Sequence, residues 1–305
     1  MKLSKKDKVL IVGLGLIGGS YAKGLKNEGF YVGAVSINPD DISYALDNSI
    51  IDSGTTFLDE NYIKQFDVVI FALYPTTLVN WIKEHQHLLK KKAKLTDVTG
   101  VKSSIIYEIQ NILRKDLTFI GAHPMAGKET SGVRNSDPSI FINANYIITP
   151  TDKNDIKDVE FAKNIGELLH FKNIVALTPK KHDEMIAFLS QLTHCIAICL
   201  MTNQNCEHFS LFSGDSFRDL TRIAKINENM WPELFLMNKE KLLYEMDLFI
   251  KEMEKLKGYI INDNKEEIKQ MMITSTERRK IFDKWFEGNS LWTWYLKESF
   301  RFLKM

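Results

Sequence analysis

The run Gly13-Leu14-Gly15-Leu16-Ile17-Gly18 constrains this chain more than any other feature. It follows a short apolar segment, residues 8–12, that reads as a buried strand. It opens a segment, residues 17–28, that reads as a helix ending near Gly29. Strand, G-x-G-x-x-G and helix in that order make the phosphate-binding turn of a dinucleotide fold. The first glycine permits a tight turn, the second lets backbone approach a pyrophosphate, and the third lets the helix pack close to the sheet. The helix N-terminus adds unpaired N–H groups and the positive end of a dipole. Gly13, Leu14, Gly15, Leu16, Ile17 and Gly18 are therefore the expected cofactor-binding residues.

The remaining first half repeats the same alternation. Strand-like segments at residues 31–36, 67–73, 93–98, 117–121, 146–149 and 173–177 alternate with helix-like ones at 42–48, 77–89, 102–113 and 155–169. Continuous apolar strands separated by helices imply a mostly parallel sheet covered on both faces, a Rossmann-type doubly wound α/β fold. From Pro179 onward the strand signals stop. Residues 181–201, 217–226, 232–257 and 264–286 carry helical periodicity. Of the 16 glycines only Gly214, Gly258 and Gly288 lie in this half, so it is poor in turns. The expected division is a dinucleotide-binding domain over 1–178 and an all-helical substrate and dimerisation domain over 179–305, the dimerisation being by analogy with other such folds.

Charge and cysteine content narrow the function classes. Lys plus Arg is 40 and Asp plus Glu is 39, a net charge of +1, which gives no global pull toward nucleic acid or a membrane surface. Cys195, Cys199 and Cys206 lie on one helix-like segment, an arrangement that suits a reducing cytoplasm better than a disulfide framework. No metal site is expected. The basic start and apolar residues 9–17 resemble a signal peptide, but Gly13 and Gly15 interrupt the run and no convincing cleavage site follows. The most apolar later stretch, residues 188–201, is broken by Ser190, Gln191, Thr193 and His194.

Three segments carry candidate chemistry. His123, in Gly121-Ala122-His123-Pro124-Met125-Ala126-Gly127, follows a strand whose C-terminal end should face the cofactor crevice, where a general base is useful. Asp183, Ala187, Ser190 and His194 are spaced four, three and four apart and would form one helix stripe, either a polar cleft wall or a cap plus a buried histidine. Arg218 and Arg222 share a face, where they bind either a substrate carboxylate or neighbouring acids. At the end of the second strand, Ser36 stands where an acid usually binds the ribose hydroxyls. NAD is the expected coenzyme, and the missing acid leaves NADP open.

Taken together, these segments resemble the prephenate dehydrogenase family, which includes arogenate dehydrogenases. The resemblance rests on residues 12–20, on Thr96-Asp97-Val98-Thr99-Gly100-Val101-Lys102, on residues 121–127 with Glu129, Ser131 and Gly132, on Ser190-Gln191-Leu192-Thr193-His194, on residues 217–224 and on Met230-Trp231. It implies NAD(P)-dependent oxidative decarboxylation of prephenate to 4-hydroxyphenylpyruvate on the route to tyrosine. His123 then matches the catalytic histidine, His194 a second active-site histidine that positions substrate, and Arg222 the arginine that binds a substrate carboxylate. Glu129 matches an acidic residue near the pocket mouth, and Asp183 and Trp231 match further positions around the cleft. His194 and Arg222 are the expected cationic partners of the dianionic substrate.

The family commonly carries a serine where this chain has Gly100, so Thr99 is the candidate to supply that hydroxyl. A homodimer through the helical half is implied, with tyrosine as a candidate inhibitor. Two other readings compete: an arogenate dehydrogenase, and a non-catalytic dinucleotide sensor. The aromatic tail with Trp285, Trp292 and Trp294 reads as core or dimer packing.

Overall fold

The computed structural model describes residues 2–205 and 207–283. Cys206 and the segment with Trp285, Trp292 and Trp294 lie outside the described residues.

Eight strands form one sheet in the order β3-β2-β1-β4-β5-β6-β7-β8. They are β1 (Lys8–Val12), β2 (Tyr31–Val35), β3 (Ser53–Thr55), β4 (Val68–Phe71), β5 (Lys94–Asp97), β6 (Thr118–Pro124), β7 (Asn145–Thr149) and β8 (Asn173–Ala176). All neighbours pair in parallel except β6 and β7, which are antiparallel. The helices of this half are α1 (Leu16–Asn27), α2 (Pro39–Asp47), α3 (Glu60–Ile63), α4 (Pro75–His85), α5 (Ser103–Ile112) and α6 (Ile156–Leu168).

The period of two along a strand explains the layering. In β1, Val9 and Ile11 enter one core with Tyr21, Leu25, Phe161 and Ile165, while Leu10 and Val12 enter the other with Leu78, Ile82, Ile105 and Ile109. Both faces of the sheet are thus dry, which is why its strands read as unbroken apolar runs. β3 and α3 left no such signal, since β3 is only Ser-Gly-Thr and half-buried.

After β8 the chain is helical: α7 (Pro179–Ile186), a π-helical stretch over Ala187–Leu192, α8 (Thr193–Thr202), α9 (Asp215–Thr221), α10 (Trp231–Met237), α11 (Lys239–Ile261) and α12 (Lys265–Asp283). Thr178 caps α7 by accepting from the Lys181 N–H at 3.2 Å. The helix expected over 232–257 is two helices. Asn238 breaks it with φ −116° and ψ 24°, because its side chain donates to the Asp183 carbonyl and to Gln191 Oε1, both at 2.8 Å.

The 24-residue helical run Pro179–Thr202 is long and apolar enough to cross a membrane by length and composition. Its polar residues His182, Asp183 and Gln191 are nonetheless buried in contacts with both halves of the protein.

Candidate active site

The glycine turn lies at the carboxyl end of β1, the strand flanked by β2 on one side and β4 on the other, where the strand order reverses. Gly13 has φ +100°, and a Cβ there would lie 2.5 Å from the Ala72 carbonyl oxygen. A Cβ on Gly18 would lie 2.0 Å from the Gly13 carbonyl oxygen, so α1 can approach only without one. Gly15 is different: a Cβ there would meet nothing within 4 Å. It is also the N-cap of α1 and no side chain caps that helix. Bare space before uncapped N–H groups is what a pyrophosphate requires.

Leu14 is 3 % exposed and belongs to the core, so its side chain anchors the turn rather than lining the cradle. Leu16 and Ile17 begin α1, with Ile17 packed against the same core. Ser36 is buried after β2, and its hydroxyl accepts from the Asn38 N–H at 3.4 Å.

His123 lies in β6 itself rather than in the loop after it. Its Nδ1 is 2.9 Å from His182 Nε2, and His182 Nδ1 is 2.8 Å from Asp183 Oδ1. Asp183 also accepts from the N–H groups of Lys102 and Ser103, at 2.9 and 2.8 Å, so it caps α5. Burial works to raise the Asp183 carboxyl, but hydrogen bonds from His182 and Ser103 hold it below its ordinary value. An ionised carboxylate only accepts, so His182 donates from Nδ1 and accepts at Nε2. His123 must then donate from Nδ1, which leaves its Nε2 lone pair free.

That nitrogen points toward Gly100, where a Cβ would lie 3.8 Å from it and 3.4 Å from Leu234 Cδ1. Burial, then the neighbouring His182 and Lys102, hold His123 well below the ordinary histidine range. The ring is therefore a neutral base at pH 7.

The helical half closes the other wall. His194 Nδ1 donates to the Ser190 carbonyl at 2.8 Å, and its ring lies against Trp231 with centroids 3.8 Å apart. Burial lowers its pKa against the opposing pull of the Ser190 carbonyl, and the nearby Arg222 lowers it further. Arg222 pairs with Glu129 across the mouth, its side chain 63 % exposed. Arg218 turns away to Asp215 and the Ser213 carbonyl, so the two guanidiniums do not converge. Two further contacts join the halves: Glu233 accepts from the Thr76 N–H of α4 at 2.5 Å, and Asn227 donates to the Tyr74 hydroxyl at 3.0 Å.

Two expectations are corrected by geometry. Asp183 is 2 % exposed and fully engaged with His182 and α5, so it supports the site from behind rather than binding substrate. The Thr99 hydroxyl does not reach His123. It bonds Asp97 and the Val101 carbonyl, with Lys102 Nζ 3.2 Å away, in a buried cluster below the cleft. The predicted stripe through Asp183 and His194 assumed a regular α-helix, and the π stretch at Ala187–Leu192 interrupts that spacing between them. His182 was missed. Its signal was present, a histidine beside an aspartate in the first turns of a capped helix, but it lay off the chosen stripe.

Comparison with known proteins matches both halves of the chain. Residues 21–175 match the family model described as prephenate dehydrogenase, nucleotide-binding domain, and residues 178–274 the one described as prephenate dehydrogenase, dimerization domain. The chain is 32% identical over 284 residues to the prephenate dehydrogenase of Bacillus subtilis, covering 90% of this chain and 76% of that protein. It is 26% identical over 266 residues to the cyclohexadienyl dehydrogenase of Zymomonas mobilis, covering 84% and 89%. The crystal structure of prephenate dehydrogenase from A. aeolicus in complex with hydroxyphenyl propionate and NAD+ superposes with a TM-score of 0.83 at 33% identity, over 92% of this chain and 100% of that one. The chain belongs to the prephenate dehydrogenase family.

Proposed function

We propose that this protein is an NAD+-dependent prephenate dehydrogenase, converting prephenate to 4-hydroxyphenylpyruvate and CO2. The observation that carries the reading is the free Nε2 of His123, held neutral at the end of the Asp183–His182 chain and on the cleft side of the sheet. The Gly15 cradle and the uncapped α1 N-terminus fit the coenzyme pyrophosphate. NAD+, when bound there, supplies the acceptor for the hydride that leaves the hydroxyl-bearing ring carbon.

His123 takes the hydroxyl proton at Nε2 as that hydride departs. Its new positive charge is stabilised through His182 by the Asp183 carboxylate. Arg222 exchanges its contact with Glu129 for a substrate carboxylate, which it can grip with two parallel N–H donors. His194, packed at a tilt against Trp231, offers its Nε2 to a substrate donor and fixes the substrate ring's orientation. Release of CO2 then makes the substrate ring aromatic, which drives the step forward.

The chain is also similar to a probable arogenate/prephenate dehydrogenase, which favours one alternative, arogenate as substrate. Steady-state turnover with prephenate and arogenate, each with NAD+ and NADP+, decides between them. The expected order is prephenate with NAD+ as the best pair. Absence of reduced coenzyme with every pair removes the reading.

The working form is a cytoplasmic homodimer. Met185, Phe188 and Leu189 of the long helical run and Tyr244 of α11 line an exposed apolar groove, and the matched domain is described as a dimerization domain. A second copy covers that groove. Sedimentation at micromolar concentration is expected to give twice the chain mass, and a monomer would contradict it.

A further inference from the structure

β6 loses its β5 neighbour just before the active-site histidine. Lys94–Thr96 of β5 pair with Thr118–Ile120, whereas Gly121–Pro124 pair only with β7. Ala122 therefore has a backbone N–H and C=O on a side where no strand remains. Two side chains take the strand's place. Ala122 N–H donates to Asp97 Oδ1 at 3.1 Å, and Lys102 Nζ donates to the Ala122 carbonyl at 2.5 Å. The ammonium also donates to Asp97 Oδ2 at 2.7 Å and to Thr99 Oγ1 at 3.2 Å, so its three N–H groups are all used. Both charged side chains are 0% exposed.

Lys102 reaches the same histidine by a second route. Its backbone N–H donates to Asp183 Oδ1, the oxygen that receives His182 Nδ1–H, and His182 in turn receives His123 Nδ1–H. We propose that the buried Asp97–Lys102 pair is a positioning device for the base: it replaces the missing strand beside Ala122, while the Lys102 amide anchors the chain that holds the His123 ring. This inference rests on His123 being the base. A fully buried ion pair is weak as a stabiliser, since apolar residues often replace one without loss. Its place here, on the backbone of Ala122 one residue from His123, suits positioning. The charged and titratable groups around His123 are Lys102, Asp97, His182 and Asp183, and the Lys102 ammonium adds to burial in disfavouring a protonated ring.

The test uses the full chain carrying Asp97→Asn and Lys102→Met together. The amide keeps an oxygen for the Ala122 N–H, the methionine keeps the buried stem, and the backbone N–H at 102 is untouched. The expected result is a kcat lower by about 10- to 100-fold, with both KM values within about twofold, as for a displaced catalytic group. The acid limb of the kcat/KM profile is expected to move up toward the ordinary histidine value of about 6.5. A variant that only loses thermal stability, with kcat and the limb unmoved, overturns the proposal.

Amide hydrogen exchange on the wild-type protein tests the clamp without any variant. The Ala122 N–H is expected to exchange as slowly as its strand neighbours, and exchange at the rate of a free amide overturns the clamp. A His123→Asn enzyme that still turns over removes the base reading and this inference together. A dead His123→Asn enzyme beside an unaltered double variant removes only the inference.

Discussion

His123 Nδ1 lies 2.9 Å from His182 Nε2, and that single contact sets which nitrogen of His123 can take a proton. The direction is imposed from the far end. Asp183 is an acceptor held between two helix N–H groups and His182, so every donor in the chain must point toward it. Asp183→Asn removes this polarity, because an amide offers a donor where only acceptors fit. We expect kcat to fall by about 10²- to 10⁴-fold, as when a triad aspartate is made neutral. His182→Leu should fall within the same range. NAD+ affinity, measured by fluorescence titration, should stay unchanged in both; full activity in either variant would separate the chain from catalysis.

Gly15 offers a clean test of the cradle. Its φ of −92° suits any residue, and a Cβ there meets nothing within 4 Å. Gly15→Val should therefore fold with an unchanged Tm. Its side chain would stand where the pyrophosphate must approach, so NAD+ binding by calorimetry should weaken by more than about tenfold. Unchanged coenzyme affinity would move the coenzyme elsewhere.

Arg222 is expected to act on substrate alone. Hydrogen bonds to charged groups contribute about 1.5–3 kcal/mol, so Arg222→Ala should raise the prephenate KM by about 10- to 100-fold. The NAD+ KM should change little, since Arg222 belongs to the mouth and pairs with Glu129. Equal rises in both values would remove its assigned role.

The pH dependence follows from three histidines. His123, His182 and His194 all have pKa values lowered first by burial. Each is neutral in the folded protein and takes up a proton in the unfolded chain below about 6.5. Stability is thus complete above that pH and is lost as pH falls toward the folded values. Thermal melts should show a constant Tm between about pH 7 and 8 and a falling one below about 6.5. Because His123 stays neutral there, kcat/KM should hold its plateau to lower pH than a free histidine allows. A limb at or above the free value would contradict the burial of the base.

Much of this architecture was legible in the residues. The glycine turn and the apolar strands announced the sheet because both of its faces are buried. β3 was invisible because three half-buried residues carry no periodicity. His123, His194 and Arg222 stand out by position and spacing, Glu129 and Trp231 only by motif resemblance, and the structure places His194 against Trp231 and Arg222 against Glu129. Those pairings join segments far apart in the chain, which no local pattern reports. His182 and the true role of Asp183 were hidden for another reason. The π stretch breaks the helical spacing, and the partners of Asp183 lie across the domain seam on α5. Thr99 reads from sequence as facing the cleft, since sequence alone does not show that Asp97, two residues earlier at the end of β5, takes its hydroxyl.

The central claim is that this chain oxidises prephenate with His123 as the base. The most direct measurement is NADH absorbance with prephenate and NAD+, taken for the wild-type protein and His123→Asn side by side. The account expects steady NADH formation by the wild type. For the variant it expects a kcat lower by about 10²- to 10⁴-fold with NAD+ binding intact. No NADH from the wild-type protein, or equal turnover by the variant, would contradict it.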